Sequence, residues 1–185
     1  MANERGEILK VGAILFIITA VAALILAVVN NFTAPVIAEN NKRAEEAAMK
    51  LVLPGADSFD KIDFTADESS SVREIYQGGE AGAVVKVAPV GYNGNIDIVV
   101  GIDNDLKVTG IQIINQTETA GLGANCTKDS FKAQFVGKTE NITVAKNGAT
   151  GNEIDAISSA TITSKAVTKG VNDALSAVKE MKGDK

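Results

Sequence analysis

Four hydroxyl side chains, Ser158, Ser159, Thr161 and Thr163, crowd around the methyl of Ala160 in the stretch ISSATITSKAV, Ile157–Val167. Immediately afterwards apolar residues recur at Val167, Val171, Ala174, Leu175, Val178 and Met181, the spacing of one face of a helix. Hydroxyls and small residues at a helix entrance satisfy or leave free its first backbone donors, and those donors favour a phosphate. The pattern therefore predicts a helix start that can face a phosphate. It fits equally a capped C-terminal helix with no ligand.

A second candidate is the loop NQTETAGLGANC, Asn115–Cys126, where Gly121 and Gly123 allow either close backbone approach to a ligand or a simple tight turn. The dinucleotide fingerprint G-x-G-x-x-G fails there, because Cys126 stands where the third glycine is needed for helix–strand packing. No G-x-x-x-x-G-K-[ST] occurs, so a nucleoside triphosphate pocket has no support. A short helix carrying Phe131 and Phe135 should follow the loop.

The elements that must hold these stretches are β-rich. Residues 57–71 are acidic and irregular; Val72–Gln77, Ala83–Ala88, Ile96–Ile102 and Lys107–Ile114 then read as strands, punctuated by Gly78-Gly79, Gly91, Gly94 and Asp103-Asn104-Asp105. The turns are too short for crossover helices, which predicts an antiparallel meander in an α+β domain. Ile142–Ala145 is a last short strand and Asn147-Gly148 a turn. Lys179, Lys182 and Lys185 suit the C-terminal end of the final helix.

Ahead of this domain Val11–Val29 is an uncharged apolar run, long enough as a helix to span roughly 28 Å. It predicts a retained transmembrane anchor, since no A-x-A cleavage pattern follows before Pro35. Arg5 and Lys10 on one side balance Lys42, Arg43 and Lys50 on the other, so charge does not orient it. Thr33 and Pro35 suggest the cap and first turn of a new helix that runs to Leu51 and stops at Pro54-Gly55. The expected organisation is a short flank (1–10), an anchor (11–30), a stalk or docking helix (31–53) and one folded domain (54–185).

Composition removes several function classes. A net charge of −5 with no long basic run leaves no electrostatic footprint for nucleic acid. The chain has no histidine, hence no imidazole base, nucleophile activator or metal ligand. Cys126 is the only cysteine, so neither an internal disulfide nor an iron–sulfur cluster can be built from this chain's thiolates; it reads as a packing residue.

With an N-terminal anchor, GYNGNIDIVVGID, the ETAGLG loop and DAISSATITS before the last helix, the chain resembles the G subunits of the Rnf ferredoxin:NAD oxidoreductases. These are relatives of the C subunits of the sodium-pumping NADH:quinone oxidoreductases, and both carry an FMN-binding domain. The family's D-x-x-[ST]-G-A-[TS] motif is matched by Asp155–Thr161, except that Ser159 replaces glycine. The resemblance implies an FMN esterified through its phosphate to Thr161 by a separate flavin transferase that uses FAD, with Asp155 assisting metal-dependent transfer. Thr163 would be a fallback acceptor or a hydrogen-bond donor. Ser158, Ser159 and Ala160 would surround the phosphate.

The ETAGLG loop resembles E-T-P-G-L-G, with Ala120 in place of proline and Thr117 where relatives often have histidine. By resemblance Glu118 and Thr119 offer polar contacts to the flavin, Leu122 an apolar face, and Gly121 and Gly123 room, with Gly91 and Tyr92 close to the ring. The implied function is an electron-carrying subunit, not a complete enzyme, of a membrane redox pump. Its partners would be other membrane and iron–sulfur subunits and the bilayer, with the C-terminal domain extracytoplasmic in the cell membrane. A rival reading is an anchored module that binds flavin or another phosphorylated ligand non-covalently, for sensing or structural purposes.

Overall fold

The computed structural model describes residues 2–64 and 70–183, and the chain divides into two compact units, Met1–Arg43 and Ala44–Lys185. One helix, α1 (Ala2–Val52), crosses that division. In the first unit its side chains from Val11 onward are exposed, and its most apolar window has a mean hydropathy of 2.9 with none of it buried by the chain. It is, among the described residues, the one helix long and apolar enough to cross a membrane.

The break expected at Thr33 and Pro35 does not occur, since Pro35 lies inside α1. The Thr33 hydroxyl bonds backward, to the carbonyls of Val29 at 2.9 Å and Asn30 at 3.4 Å, instead of capping a new helix. A proline removes only one backbone donor. In an apolar stretch a continuous helix keeps the remaining backbone groups paired without water.

In the second unit five strands, β1 (Asp60–Ile62), β2 (Val72–Gln77), β3 (Ala83–Val87), β4 (Asp97–Ile102) and β5 (Val108–Asn115), form an antiparallel meander in sequence order. This is the α+β arrangement that the short turns demand. β1 arises within the acidic stretch that sequence leaves irregular; residues 65–69 of that stretch, and Lys185 at the chain end, lie outside the described residues. A short helix α2 (Asp129–Lys132), flanked by 3-10 turns, buries Phe131 and Phe135 edge to face at 5.5 Å. Two further strands, β6 (Thr143–Ala145) and β7 (Glu153–Asp155), pair in parallel, and α3 (Thr161–Gly183) closes the chain.

Strand alternation divides the meander into two apolar faces. Val85, Val87, Ile98, Val100 and Ile102 join Val167, Val171, Ala174, Leu175 and Val178 of α3 in the main core. Val84 and Val99 point the other way, onto Ala48, Met49, Val52 and Leu53 at the end of α1. Each helix reaches the sheet over a glycine. A Cβ on Gly101 would lie 2.3 Å from the Val52 carbonyl oxygen, and one on Gly170 would lie 2.9 Å from Pro89 Cγ.

The α1 end is further held by charge. Lys86 donates to Glu45 and, at 2.9 Å, to Glu74, which also accepts from Lys61 at 2.5 Å and from the Tyr76 hydroxyl at 2.8 Å. The bonds from Lys61 and then Lys86 hold the Glu74 carboxyl down at about 2.

Candidate functional site

The hydroxyl cluster is built by one turn and one helix start. The Ala160 N–H donates to the Ile157 carbonyl at 2.9 Å, closing a four-residue turn whose third residue, Ser159, has φ +60°. Type II turns need that left-handed value at that position, and glycine meets it most easily. The serine in place of the motif's glycine is therefore held in a costly backbone conformation with its side chain exposed.

Ser164 stitches the turn to the helix: its hydroxyl accepts from the Ile157 N–H at 2.9 Å and donates to the Ala160 carbonyl at 3.0 Å. α3 begins at Thr161, and its first helical bond runs from the Ser164 N–H to the Ala160 carbonyl at 3.0 Å. Ala160 precedes the helix and has no side-chain oxygen, so no capping side chain at that position takes up the first-turn donors.

Thr161 and Thr163 have opposite surroundings. The Thr161 side chain is exposed. Thr163 is 1% exposed, and its hydroxyl donates to Glu118 Oε2. Glu118 is itself only 7% exposed, and its Oε1 accepts from the backbone N–H groups of Tyr92 at 2.9 Å and Asn93 at 3.0 Å. Gly123, one of the two loop glycines read as a point of close approach, and Gly91, expected near the ring, make room for this carboxylate, whereas Gly121 does not. A Cβ on Gly91 would stand 2.6 Å from Oε1, and one on Gly123 would stand 2.5 Å from Oε2 and 2.6 Å from the Thr163 hydroxyl.

Thr117 and Asn93 lock the two loops side by side, hydroxyl to carbonyl at 3.0 Å and side-chain amide to carbonyl at 2.8 Å. Between them and the start of α3 lies a cleft of about 490 Å³ lined by Tyr92, Glu118, Thr119, Leu122, Gly123 and Ser159–Thr163. Tyr92, Leu122 and Ile162 expose apolar surface there.

Nine of the thirteen residues singled out from sequence therefore share one cleft, although they come from three separate segments. Ser158, Gly91, Gly121 and Asp155 do not line it. Gly121 sits in a turn at φ +77°, its carbonyl accepting from Asn125 at 2.8 Å. Asp155 ends β7, where its carboxylate accepts the Ala149 N–H at 2.9 Å and its own N–H meets Gln134 Oε1 at 2.6 Å. Among the described residues no group of acidic or cysteine side chains is arranged to hold a metal ion. Ile162 and Ser164 were missed. Helical spacing from Val167 reads toward the core and gives no signal for an apolar side chain pointing into the cleft, while Ser164 looked like one more polar helix residue.

Cys126 is fully buried, and burial, with a smaller contribution from the Glu118 charge, pushes its thiol up to about 11. It is an inert packing residue.

The model of the FMN-binding domain family matches residues 91–176, and that of the RnfG N-terminal region matches residues 1–52. The chain is 35% identical to the G subunit of the proton-translocating ferredoxin:NAD(+) oxidoreductase complex of Clostridium ljungdahlii, over 99% of this chain and 98% of the relative. It is 40% identical to the G subunit of the Na(+)-translocating complex of Acetobacterium woodii, over 89% and 88%. Among solved structures, the C subunit of the Na(+)-translocating NADH-quinone reductase of Parabacteroides distasonis shares the fold with a TM-score of 0.56 at 18% identity, covering 78% of this chain and 94% of that one. The chain belongs to the family of G subunits of the ion-translocating ferredoxin:NAD(+) oxidoreductase complexes.

Proposed function

We propose that the protein carries electrons within such a complex through an FMN esterified to Thr161. The observation that carries this reading is the contrast between the two threonines. Thr161 is exposed in the cleft at the first residue of α3, whereas the Thr163 hydroxyl is buried and occupied by Glu118.

The residues present fit the group. First-turn amides with no side-chain oxygen at the Ala160 cap position, at the positive end of a 23-residue helix, suit a phosphodiester. The apolar surfaces of Tyr92, Leu122 and Ile162 suit a flat ring. The cleft of about 490 Å³ lies within the roughly 300–1,000 Å³ usual for small-molecule sites. When bound, the flavin supplies the redox chemistry, while the protein supplies orientation and electrostatics. A tether keeps the cofactor at high local concentration where it would otherwise diffuse away.

The maturation partner in this reading is a flavin transferase that uses FAD. Asp155, whose carboxylate accepts the Ala149 N–H at 2.9 Å, would assist the metal-dependent transfer during installation of the flavin. The other partners are membrane and iron–sulfur subunits of the complex. α1 crosses the bilayer once, and the C-terminal domain lies on the outer face.

Denaturing electrophoresis of the chain made together with a flavin transferase tests the linkage. A fluorescent band is expected, and Thr161→Ala should abolish it. Flavin released on denaturation would favour the non-covalent module, and undiminished fluorescence in Thr161→Ala would move the ester elsewhere. Protease added to sealed right-side-out vesicles should digest residues 44–185; full protection would reverse the orientation.

A further inference from the structure

We propose that Glu118 is a positioning residue that ties the three walls of the cleft together and supplies the negative charge against which a flavin in the cleft is reduced. The inference rests on the flavin reading above. The carboxylate joins segments far apart in sequence: the loop at Tyr92 and Asn93, its own loop, and Thr163 in the first turn of α3. Three donors converge on it, and Gly91 and Gly123 press against its two oxygens. It therefore faces its own protein, and the polar contact to the flavin expected from sequence gives way to a clamp.

Among the described residues no lysine or arginine forms an ion pair with its carboxylate, and it is the one charged side chain lining the cleft. Backbone amides and a hydroxyl satisfy a carboxylate without cancelling its charge. Electron uptake in the cleft adds negative charge close to it, and repulsion in a partly dry site is stronger than in water. Glu118 thus holds the potential of the site below the value it would have without the charge. Cys126, whose thiol the same charge helps to raise, lies within that field.

Clamp and charge can be separated. In Glu118→Gln the amide oxygen can still accept from Tyr92 and Asn93, and the amide nitrogen can donate to the Thr163 hydroxyl, which accepts as well as donates. Glu118→Ala removes both functions.

The experiment compares full-length wild type, Glu118→Gln and Glu118→Ala in detergent, each made without and with the flavin transferase. In the flavin-free chains, hydrogen exchange at the Tyr92 and Asn93 amides should be slow in wild type and Glu118→Gln. In Glu118→Ala it should be roughly tenfold or more faster, as loss of charge-assisted bonds implies. In the loaded chains, potentiometric titration should place the flavin of Glu118→Gln at a more positive midpoint than that of wild type. Equal exchange in all three overturns the clamp, and one midpoint for two loaded chains overturns the role of the charge. A wild type that takes up no flavin defeats the underlying flavin reading, a failure the exchange data separate from the other two.

Discussion

Two helix ends meet the sheet of the folded unit on opposite faces, and the protein treats them in opposite ways. The C-terminal end of α1 is sealed. The Val52 carbonyl accepts from the Thr109 hydroxyl, the Leu53 N–H closes back on the Met49 carbonyl at 3.0 Å, and Gly101 lets the backbone settle against the strand. The N-terminal end of α3 is left open: Ala160 offers no capping oxygen, and the turn before it is held from behind by Ser164. Every helix leaves unpaired backbone groups at both ends. Where the protein spends its own side chains on them the end is structural, and where it withholds them the end is available to a ligand.

The largest effect should come from breaking the sealed end. Gly101→Ala forces a methyl onto the Val52 backbone and should cost about 3 kcal/mol as the strand and helix separate, read as a lower thermal midpoint in detergent. Thr109→Val keeps the shape but strands the Val52 carbonyl, which should cost about 1–2 kcal/mol; Thr109→Ser should restore most of it.

The open end should answer with the opposite sign. Ala160→Ser supplies the missing cap and should stabilise by about 1 kcal/mol. It should also lower flavin loading, because the new hydroxyl competes for the same amides. A stabilised variant with undiminished loading would break the contrast between the two ends. The smallest change is expected from Ser159→Gly. Relief of the left-handed backbone, less the extra flexibility of glycine in the unfolded chain, leaves a gain of about 0.5–1 kcal/mol.

Much of this architecture is legible locally. Val72–Gln77 and the apolar, β-branched runs that become β3, β4 and β5 are legible without knowledge of their partners, since strand-forming residues bounded by turn residues mark them within a few positions. The apolar stripe of α3 follows in the same way from helical spacing. β1 and β7 are different. Three residues carry too little pattern, and they become strands only because Gln77 and Tyr76, or Thr143 and Val144, stand ready to pair with them. At Thr33 and Pro35 a local signal misled, because cap chemistry that would start a helix in water is overridden where the chain already runs as an apolar helix.

By itself, then, the sequence determined the meander, the apolar N-terminal helix, the exclusion of histidine and thiol chemistry, and a hydroxyl cluster at a helix start. Only the tertiary structure decided that Thr163 is turned inward to Glu118 while Thr161 faces the cleft. It alone placed Glu118 beneath the loop at Tyr92, and it alone made Ser159 carry the turn's positive φ. The reason is physical. Periodicity is written over a few residues, whereas a carboxylate's hydrogen-bond partners lie 26 and 45 positions away along the chain and are chosen only when the sheet brings them together.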